Sequence, residues 1–297
     1  MPPSISAIVV NYNAGALLLN CVESLLNCPL DLEVIVVDNA SEDGSLNTLQ
    51  GISRVQFIKN KENRGFAAAC NQGIVAATAD NLLFLNPDCS FSSGTLKEIL
   101  MHLRADPMVG MAGGVLVTPD GVEQAGGRRA VPTPWRSFVR AFGLSRYAKR
   151  WPRLFFDFNL HKLPLPDGPV EVEAISGACM LVKREVLAQV GTWDEEYFLH
   201  CEDLDWCMRL RQSGWKVLFV PSATITHARG ACSRSRPIFV EWHKHRGMIR
   251  FYQKFFRHQY PGVLMWLVIL GVWLRFVAVA IYYLLIRLGR RLGVVRG

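Results

Sequence analysis

The segment SAIVVNYNAG at residues 6–15 begins the pattern that predicts the fold. Its first five residues are mostly apolar and β-branched, and they are too few for a helix, so they predict a buried strand. Polar side chains follow at Asn11 and Asn13, and leucines at helical spacing run from Ala16 to Asn27. A short buried strand, a polar turn and a helix form the first half of a βαβ unit.

The same unit recurs along the next seventy residues. Further strands are predicted at 33–37, 55–58 and 81–85, with helices at 45–50 and from residue 63 to about 77. This alternation predicts a parallel sheet with right-handed crossovers, whose ligands bind beyond the carboxyl ends of the strands. Each predicted strand does end in polar residues. The chain lacks the glycine-rich motifs of dinucleotide-binding folds and P-loops, which excludes both classes.

The C-terminal part differs from the rest of the chain in charge and hydropathy. The chain has 297 residues and a net charge of +8, and residues 228–297 carry 13 Lys and Arg but one acid. An amphipathic helix is predicted from Phe239 to Phe256, and 262–286 is apolar except for Arg275. We therefore expect a domain at 1–237 and membrane-associated helices at 238–297. Because Arg275 is costly in lipid, two forms stay open: one span, or a helical hairpin or in-plane pair broken near Arg275.

Two other features bear on the class of protein. Residues 124–170 are rich in proline, and their aromatic residues alternate with basic ones. This segment is either a surface excursion packed on the domain or a flap that faces the acceptor or the membrane. Nucleic acid is not an expected partner, because the basic residues alternate with long apolar runs. The eight cysteines form no C-x-x-C pair, which disfavours structural zinc and favours reduced thiols in the cytosol.

The adjacent acids Glu202 and Asp203 open a helical pattern that Gly214 is placed to end. The helix N-terminus stabilises negative charge, and one of the two side chains is free to face a cleft. We expect Asp203 to act as a general base, although ordinary helix-start acids are the alternative. Three further candidates are Asp38 as an acceptor for a pyrimidine imide, and Asp88 and His227 as ligands of a divalent cation. Taken singly, each also suits a turn, a cap or a structural histidine.

Six motifs together resemble family 2 glycosyltransferases of the GT-A fold, most closely the bacterial rhamnosyltransferases. The motifs are SAIVVNYNAG (6–15), VIVVDNASEDGS (34–45), NKENRGFAAACNQG (60–73), LFLNPDCSF (83–91), the segment from SGACMLVKREV to LRQSGW (176–215), and VPSATITH (220–227). The order and spacing of the six motifs together are specific for this family, whereas no single motif is. The resemblance implies an α/β fold with a mostly parallel central sheet that binds a nucleotide sugar, followed by the C-terminal membrane-associated helices.

The resemblance also implies a role for each candidate residue. Asp203 would be the catalytic base with Glu202 beside it, although either carboxylate could face the acceptor. Asp88 would bind Mg²⁺ or Mn²⁺ together with His227, and Asn86 replaces the first acid of the family's D-x-D motif, as in the rhamnosyltransferase branch. The expected donor-nucleotide residues are Asn11, Asn13, Asp38, Asn63, Arg64 and Asn86, and the expected sugar and acceptor pocket contains Gly177, Trp193 and Asp194.

The expected function is an inverting, metal-dependent transfer of a sugar, most simply L-rhamnose from dTDP-rhamnose, onto a lipid-linked glycan in cell-wall or polysaccharide biosynthesis. The expected location is the cytoplasmic face of the inner membrane, either peripheral or C-terminally anchored. A UDP- or GDP-sugar donor is an alternative. A nucleotidyltransferase is disfavoured, because no glycine-rich basic loop follows the first strand. A non-catalytic glycan-binding or adaptor protein at the membrane is the alternative of another class.

Overall fold

The computed structural model describes residues 3–228 and 236–291. Its strands are Ile5–Asn11 (β1), Leu32–Asp38 (β2), Val55–Lys59 (β3), Asn81–Leu85 (β4), Cys89–Phe91 (β5), Val109–Val117 (β6), Arg128–Arg129 (β7), Val170–Glu171 (β8), Ala174–Ile175 (β9), Cys179–Lys183 (β10) and Lys216–His227 (β11). Its α-helices are Leu17–Leu26 (α1), Phe66–Ala76 (α2), Thr95–Ala105 (α3), Pro134–Ala141 (α4), Pro152–Phe155 (α5), Val186–Val190 (α6), Glu202–Gln212 (α7), Pro237–Phe256 (α8) and Val263–Arg291 (α9). Short 3₁₀ segments, one of them at 45–49, complete the connections.

One sheet of nine strands organises the domain, in the order β3-β2-β1-β4-β10-β6-β11-β5, with β8 also paired to β11. The first four strands in this order are parallel, as the βαβ pattern predicts. Strand β10 then enters antiparallel to both β4 and β6, while the long pair β6–β11 is again parallel. The carboxyl ends of β2, β1 and β4 therefore lie side by side with the amino end of β10.

The sheet has a hydrophobic core on each face, because successive side chains of a strand point to opposite faces. In β1, Ile8 packs into one core with α2, α7 and α8, whereas Val9 packs into the other with α1 and α3. All seven residues of β1 are buried, which explains its continuous apolar run. Gly73 on α2 lets that helix approach β1, since a Cβ there would lie 2.4 Å from Ile8 Cγ2.

The C-terminal region is a pair of packed helices. Helix α9 is continuous through Arg275, so of the two forms that the sequence leaves open, the one broken near that residue is not found. The chain turns between α8 and α9 at Gly262, which has φ +55°. Residues 263–289 of α9 are long and apolar enough to cross a membrane, and little of this stretch is buried in the protein. The division into a domain at 1–237 and helices at 238–297 stays a prediction.

Candidate active site

Asn11 and Asp38 meet where the neighbouring strands β1 and β2 end. Asn11 Nδ2 donates to Asp38 Oδ1 at 2.7 Å, and the backbone N–H of Ser41 donates to Asp38 Oδ2 at 3.0 Å. Both side chains are buried. Asn11 Oδ1 is also buried and has no hydrogen-bond partner among the residues described. The two strand ends therefore place a carboxylate and an unused amide acceptor together.

Two further predicted residues shape the turns around this strand edge. Asn13 has φ +53° and accepts the Glu42 N–H through Oδ1 at 2.8 Å. Asn63 Oδ1 accepts the N–H of Gly65 at 2.9 Å. Gly65 is required there, because its φ is +86° and a Cβ would lie 2.6 Å from Phe198 O. This contact joins the Asn63 turn to the segment that precedes the acid pair. Both side chains thus have structural bonds, and their contact with a nucleotide stays a prediction, as does that of the exposed Arg64.

Asp88 and His227, the predicted metal ligands, lie together, and their binding of a cation stays a prediction. They lie beside the paired strands β5 and β11, with Asp88 Oδ1 3.2 Å from His227 Nε2, and both are largely buried. Asn86 Nδ2 lies 3.5 Å from the same ring nitrogen. Cys89 is close enough to join this group, but burial raises the pKa of its thiol well above the ordinary value, so the thiol keeps its proton.

Gln124, which the sequence did not single out, sets the orientation of His227. Its Nε2 donates to the His227 carbonyl at 2.6 Å, so its Oε1 faces His227 Nδ1 at 2.9 Å as an acceptor. Nδ1 therefore carries the proton, and Nε2 is the nitrogen directed at Asp88. An imidazole lone pair and a carboxylate at this separation repel each other unless a cation or a proton lies between them. The donor set fits Mg²⁺ or Mn²⁺, and an amide acceptor behind the imidazole is the usual support for a metal-bound histidine.

The acid pair begins α7 after a strained turn. His200 and Cys201 have φ +69° and +72°, which non-glycine residues seldom adopt. Helix α8 holds this turn from behind, because Gly247 lies so close that a Cβ there would be 2.7 Å from His200 O. Packing against α8 therefore supports the turn from which the acid pair begins.

Asp203 lies near the same strand edge, and three donors hold its carboxylate. Its Oδ2 accepts the Gly177 N–H at 3.1 Å and also pairs with Arg129 Nη2. Its Oδ1 accepts the Leu204 N–H at 2.8 Å. Gly177 belongs to the segment before β10, and the next residue, Ala178, accepts the Asn86 N–H at 2.9 Å. Asp203 is thereby linked through one backbone segment to the strand end that carries Asp88.

Arg129 is the main site residue that the sequence did not identify. It lies on β7, which pairs with β9 just before Gly177, and this pairing brings the guanidinium to Asp203. Its neighbour Arg128 instead pairs with Glu123 at 2.8 Å and is buried. The available signal was a pair of adjacent arginines in a basic segment, which does not indicate which one reaches an acid 74 residues away.

Glu202 is distinguished from Asp203 by its surroundings. Its side chain is buried, and its Oε2 has no hydrogen-bond partner among the residues described. Burial, together with the charge of Asp203, raises the pKa of Glu202 from 4.5 to about 8. Glu202 therefore holds its proton at neutral pH, whereas Asp203 pairs with a cation and several N–H groups.

Trp193 and Asp194 have structural contacts in this protein. Trp193 is buried against Phe84 and Trp206, with ring centroids 5.1 Å and 4.4 Å away. Asp194 binds two cations of α8, Arg250 at 2.9 Å and Lys254 at 2.7 Å. Their predicted place in the sugar and acceptor pocket stays a prediction.

The family model of glycosyl transferase family 2 matches residues 6–191 of the chain. The chain belongs to glycosyltransferase family 2. It is similar to the N-acetylglucosaminyl-diphospho-decaprenol L-rhamnosyltransferase of Mycobacterium tuberculosis, with 29% identity over 76% of each chain. It is also similar to the dTDP-rhamnosyl transferase RfbF of Shigella flexneri, with 25% identity over 77% of this chain and 71% of that one. These matches confirm that the protein is a family 2 glycosyltransferase.

Solved structures confirm the GT-A fold of this glycosyltransferase. The mannosyltransferase PcManGT of Pyrobaculum calidifontis, solved with GDP-Man and Mn²⁺, matches all of this chain and 82% of its own. The TM-score is 0.58 at 18% sequence identity, so the likeness concerns the fold. In this family 2 glycosyltransferase, the residues Asp38, Asp88, His227 and Asp203 all lie along the edge where β2, β1 and β4 end.

Proposed function

We propose that the protein is an inverting, metal-dependent rhamnosyltransferase, which moves L-rhamnose from dTDP-rhamnose to a lipid-linked cell-surface glycan at the cytoplasmic face of the membrane. The observation that carries the proposal is that one edge of the sheet brings together two groups. One is Asp203 with its arginine partner, and the other is the Asp88–His227 pair. The names of the two rhamnosyltransferase relatives support the donor, and the lipid-diphosphate in the name of the mycobacterial one supports the acceptor.

The nucleotide would bind at the ends of β1 and β2. Asp38 and the unpartnered Oδ1 of Asn11 offer two acceptors within one buried cluster. A thymine ring presents an imide N–H, and a deoxyribose presents a hydroxyl, so both groups have a place to donate. Satisfying a buried orphan acceptor also adds to affinity, because leaving it unpaired costs about 1–3 kcal/mol. Asn13, Asn63 and Arg64 are proposed to line the remainder of the nucleoside and the diphosphate.

Asp88 and His227 would hold the divalent cation, with Asn86 beside them. When bound, the cation would neutralise charge on the departing nucleoside diphosphate. The protein's own contribution is the orientation of the two ligands. Gln124 keeps the proton of His227 on Nδ1, so that Nε2 is available on the side of Asp88. The Mn²⁺ in the solved mannosyltransferase supports a divalent cation here.

Transfer would proceed by one displacement. As the acceptor oxygen attacks the anomeric carbon, Asp203 takes the hydroxyl proton, and the bond to the diphosphate breaks with its electron pair leaving on the nucleotide. Configuration at the anomeric carbon inverts. Glu202 keeps its proton and does not compete for this role, because its pKa is raised to about 8. Arg129 and the Gly177 N–H hold the Asp203 carboxylate in place through its Oδ2 atom.

The test uses the purified full chain with Mn²⁺, dTDP-rhamnose and a polyprenyl-diphosphate-linked N-acetylglucosamine as acceptor. Asp203→Asn should lose about 10²–10⁴-fold in turnover, the usual contribution of a general base, while dTDP binding is unchanged. Glu196→Gln is the matched control, since Glu196 is an exposed acid just before the same helix. Near-normal transfer by Asp203→Asn would exclude it as the base. Turnover with UDP- or GDP-sugars alone would exclude the proposed donor.

A further inference from the structure

Helix α9 packs along the length of α8. The α9 residues that are covered recur every three or four positions, as in a helix that packs along one side. They are Met265, Val268, Ile269, Val272, Trp273, Phe276, Val279, Ala280, Tyr283, Ile286 and Gly289. Trp242 near the start of α8 contacts Trp273 and Phe276, with ring centroids 4.9 Å and 5.4 Å away. The two helices therefore run antiparallel and in contact over several turns.

The arginine within the apolar helix is directed at α8. Arg275 Nη1 lies 3.3 Å from Nε2 of the fully buried His245. The other ring nitrogen of His245 lies 2.7 Å from the Glu241 carbonyl, so Nδ1 carries the proton and Nε2 accepts from Arg275. Glu241 Oε2 lies 3.4 Å from the same Nδ1 and Lys244 pairs with Glu241 at 3.0 Å, which completes the charges around the ring. Arg275 is itself exposed, and its head group has a partner on α8 in the His245 ring nitrogen.

Helix α8 cannot follow α9 into the hydrocarbon. It is fixed to the globular domain by buried Phe251 and Tyr252 and by ion pairs of Arg250 and Lys254. It carries five residues with formal charge: Glu241, Lys244, Arg246, Arg250 and Lys254. Each charge at a bilayer centre costs at least about 2.5 kcal/mol. A bilayer-spanning α9 that keeps its contact with α8 would submerge these charges and the domain behind them.

The opposite face of α9 is an exposed apolar stripe. Leu267, Leu274, Ile281 and Leu288 are 50–60% exposed and lie seven residues apart, so they share one face of the helix. Arg287 is exposed near the end of the helix. A row of large apolar side chains this long, open to water, is unfavourable unless another phase or molecule covers it.

A second exposed surface adjoins α8, which we call the flap, residues 134–163. It is connected to α8 through the Tyr252 hydroxyl, 2.7 Å from Ser137 Oγ. The flap carries seven Lys and Arg but one acid, Asp157. Its exposed aromatics stack in rows, with Phe138 between Trp135 and Phe142 at centroid distances of 5.5 Å and 4.5 Å. Arg136 and Arg140 pair with Glu173 and Asp157, and the other five flap cations have no ion pair among the described residues. Exposed aromatic rings beside such cations suit the headgroup region of an anionic membrane.

We infer that the protein docks on an anionic phospholipid surface as a monotopic protein, with α9 lying in the plane of the interface and the flap beside it. The stripe of α9 enters the headgroup–acyl boundary, while α8 and the Arg275–His245 pair stay on the protein side. Arg129, the partner of Asp203, lies on β7 five residues before α4, so the chain leads directly from the Asp203 site into the flap. The inference rests on the proposed function in one respect only, namely that docking would bring the enzyme to its lipid-linked acceptor.

The deciding experiment is a depth profile of α9. Leu267→Cys, Leu274→Cys, Ile281→Cys and Leu288→Cys are made singly in the full chain, spin-labelled, and bound to vesicles of phosphatidylcholine with phosphatidylglycerol. The depth of each label in the bilayer follows from the ratio of its collision rate with oxygen to its collision rate with a water-soluble nickel complex. The unsubstituted chain gives the labelling background, and the seven native cysteines in the described residues are all buried. Met101→Cys on α3 is the control, because α3 packs on the other face of the sheet from α8.

The four positions extend over roughly 31 Å of helix axis. An in-plane α9 gives four similar, shallow depths of about 5–10 Å, with Met101→Cys in water. A profile that passes through the bilayer centre, with the first and last labels at opposite surfaces, would overturn the inference. A dimer that does not bind vesicles, and whose labels show spin–spin broadening and low oxygen accessibility, would also overturn the inference. It would show that a second copy of the chain covers the stripe. These readings need no transfer activity, so they stand apart from the proposed reaction.

The contribution of the flap is measured by partition onto the same vesicles. Arg150→Gln with Arg153→Gln should weaken partition about 25-fold, because each cation near the surface contributes about fivefold. The matched control is Lys97→Gln with Arg104→Gln, two exposed cations of α3, which should leave partition unchanged. On phosphatidylcholine alone the two double variants should bind equally. Equal binding of both double variants to the anionic vesicles would remove the flap from the docking surface.

Discussion

Replacing Glu202 with Gln should make the protein less sensitive to pH without removing its activity. Glu202 is buried and keeps its proton at neutral pH, because its pKa is raised to about 8 by burial and by the neighbouring charge of Asp203. A glutamine has nearly the same shape as the protonated acid but cannot ionise. We therefore expect Glu202→Gln to transfer sugar at close to the normal rate, in contrast to Asp203→Asn.

The magnitude follows from the two pKa values. Below pH 4.5, Glu202 is protonated in both the folded and the unfolded chain, and the protein has the full benefit of its burial. Between pH 4.5 and about 8, the unfolded chain ionises and the folded protein does not. The free energy of unfolding therefore falls as pH rises through this window, with a limiting slope of about 1.4 kcal/mol for each pH unit. Above pH 8, the loss is complete.

The assay is urea unfolding of the full chain in one detergent, followed by tryptophan fluorescence between pH 5 and about 8. The quantity compared is the wild-type free energy of unfolding minus that of Glu202→Gln, since other titrating groups cancel in this difference. It should fall steadily as pH rises, and Glu196→Gln, at an exposed acid, should show a flat difference. Two results would contradict this prediction. One is a difference in unfolding free energy that does not change with pH for Glu202→Gln, and the other is loss of transfer activity in Glu202→Gln.

Three further predictions concern residues that hold the site in place. Arg129→Met removes the guanidinium that positions Asp203, so kcat should fall by up to about 10²-fold with dTDP binding unchanged, and Arg129→Lys should restore part of the loss. Gln124→Leu leaves His227 without the acceptor for Nδ1, and Mn²⁺ affinity measured by calorimetry should fall about 10–100-fold. Gly247→Ala puts a Cβ 2.7 Å from the carbonyl oxygen of the strained turn and should lower the free energy of unfolding by about 1–3 kcal/mol, with unchanged stability counting against that packing.

Local sequence determined the first half of the sheet. The apolar run of β1 and the polar residues after it predict both a buried strand and a ligand edge, and the structure places Asn11 against Asp38 there. This worked because strand and helix periods are local properties, and because parallel strands bring their carboxyl ends to one edge. The helix that begins with Glu202 and Asp203 and the turn at Gly214 were predicted for the same reason.

Tertiary structure alone decided which distant residues meet and which of them are charged. Gln124 reaches His227, Arg129 reaches Asp203, and His245 receives Arg275 across separations of 103, 74 and 30 residues. Such contacts depend on strand register and helix docking, which local periodicity does not specify.

The protonation of Glu202 likewise follows from burial in the folded core, so two adjacent carboxylates that look equivalent in sequence acquire different chemistry. The sequence by itself determined that acids, amides and an apolar helix are present in the required order. Long-range packing determined which acid pairs with Arg129 and which is buried with its proton, because the cost of burying a charge depends on what surrounds it.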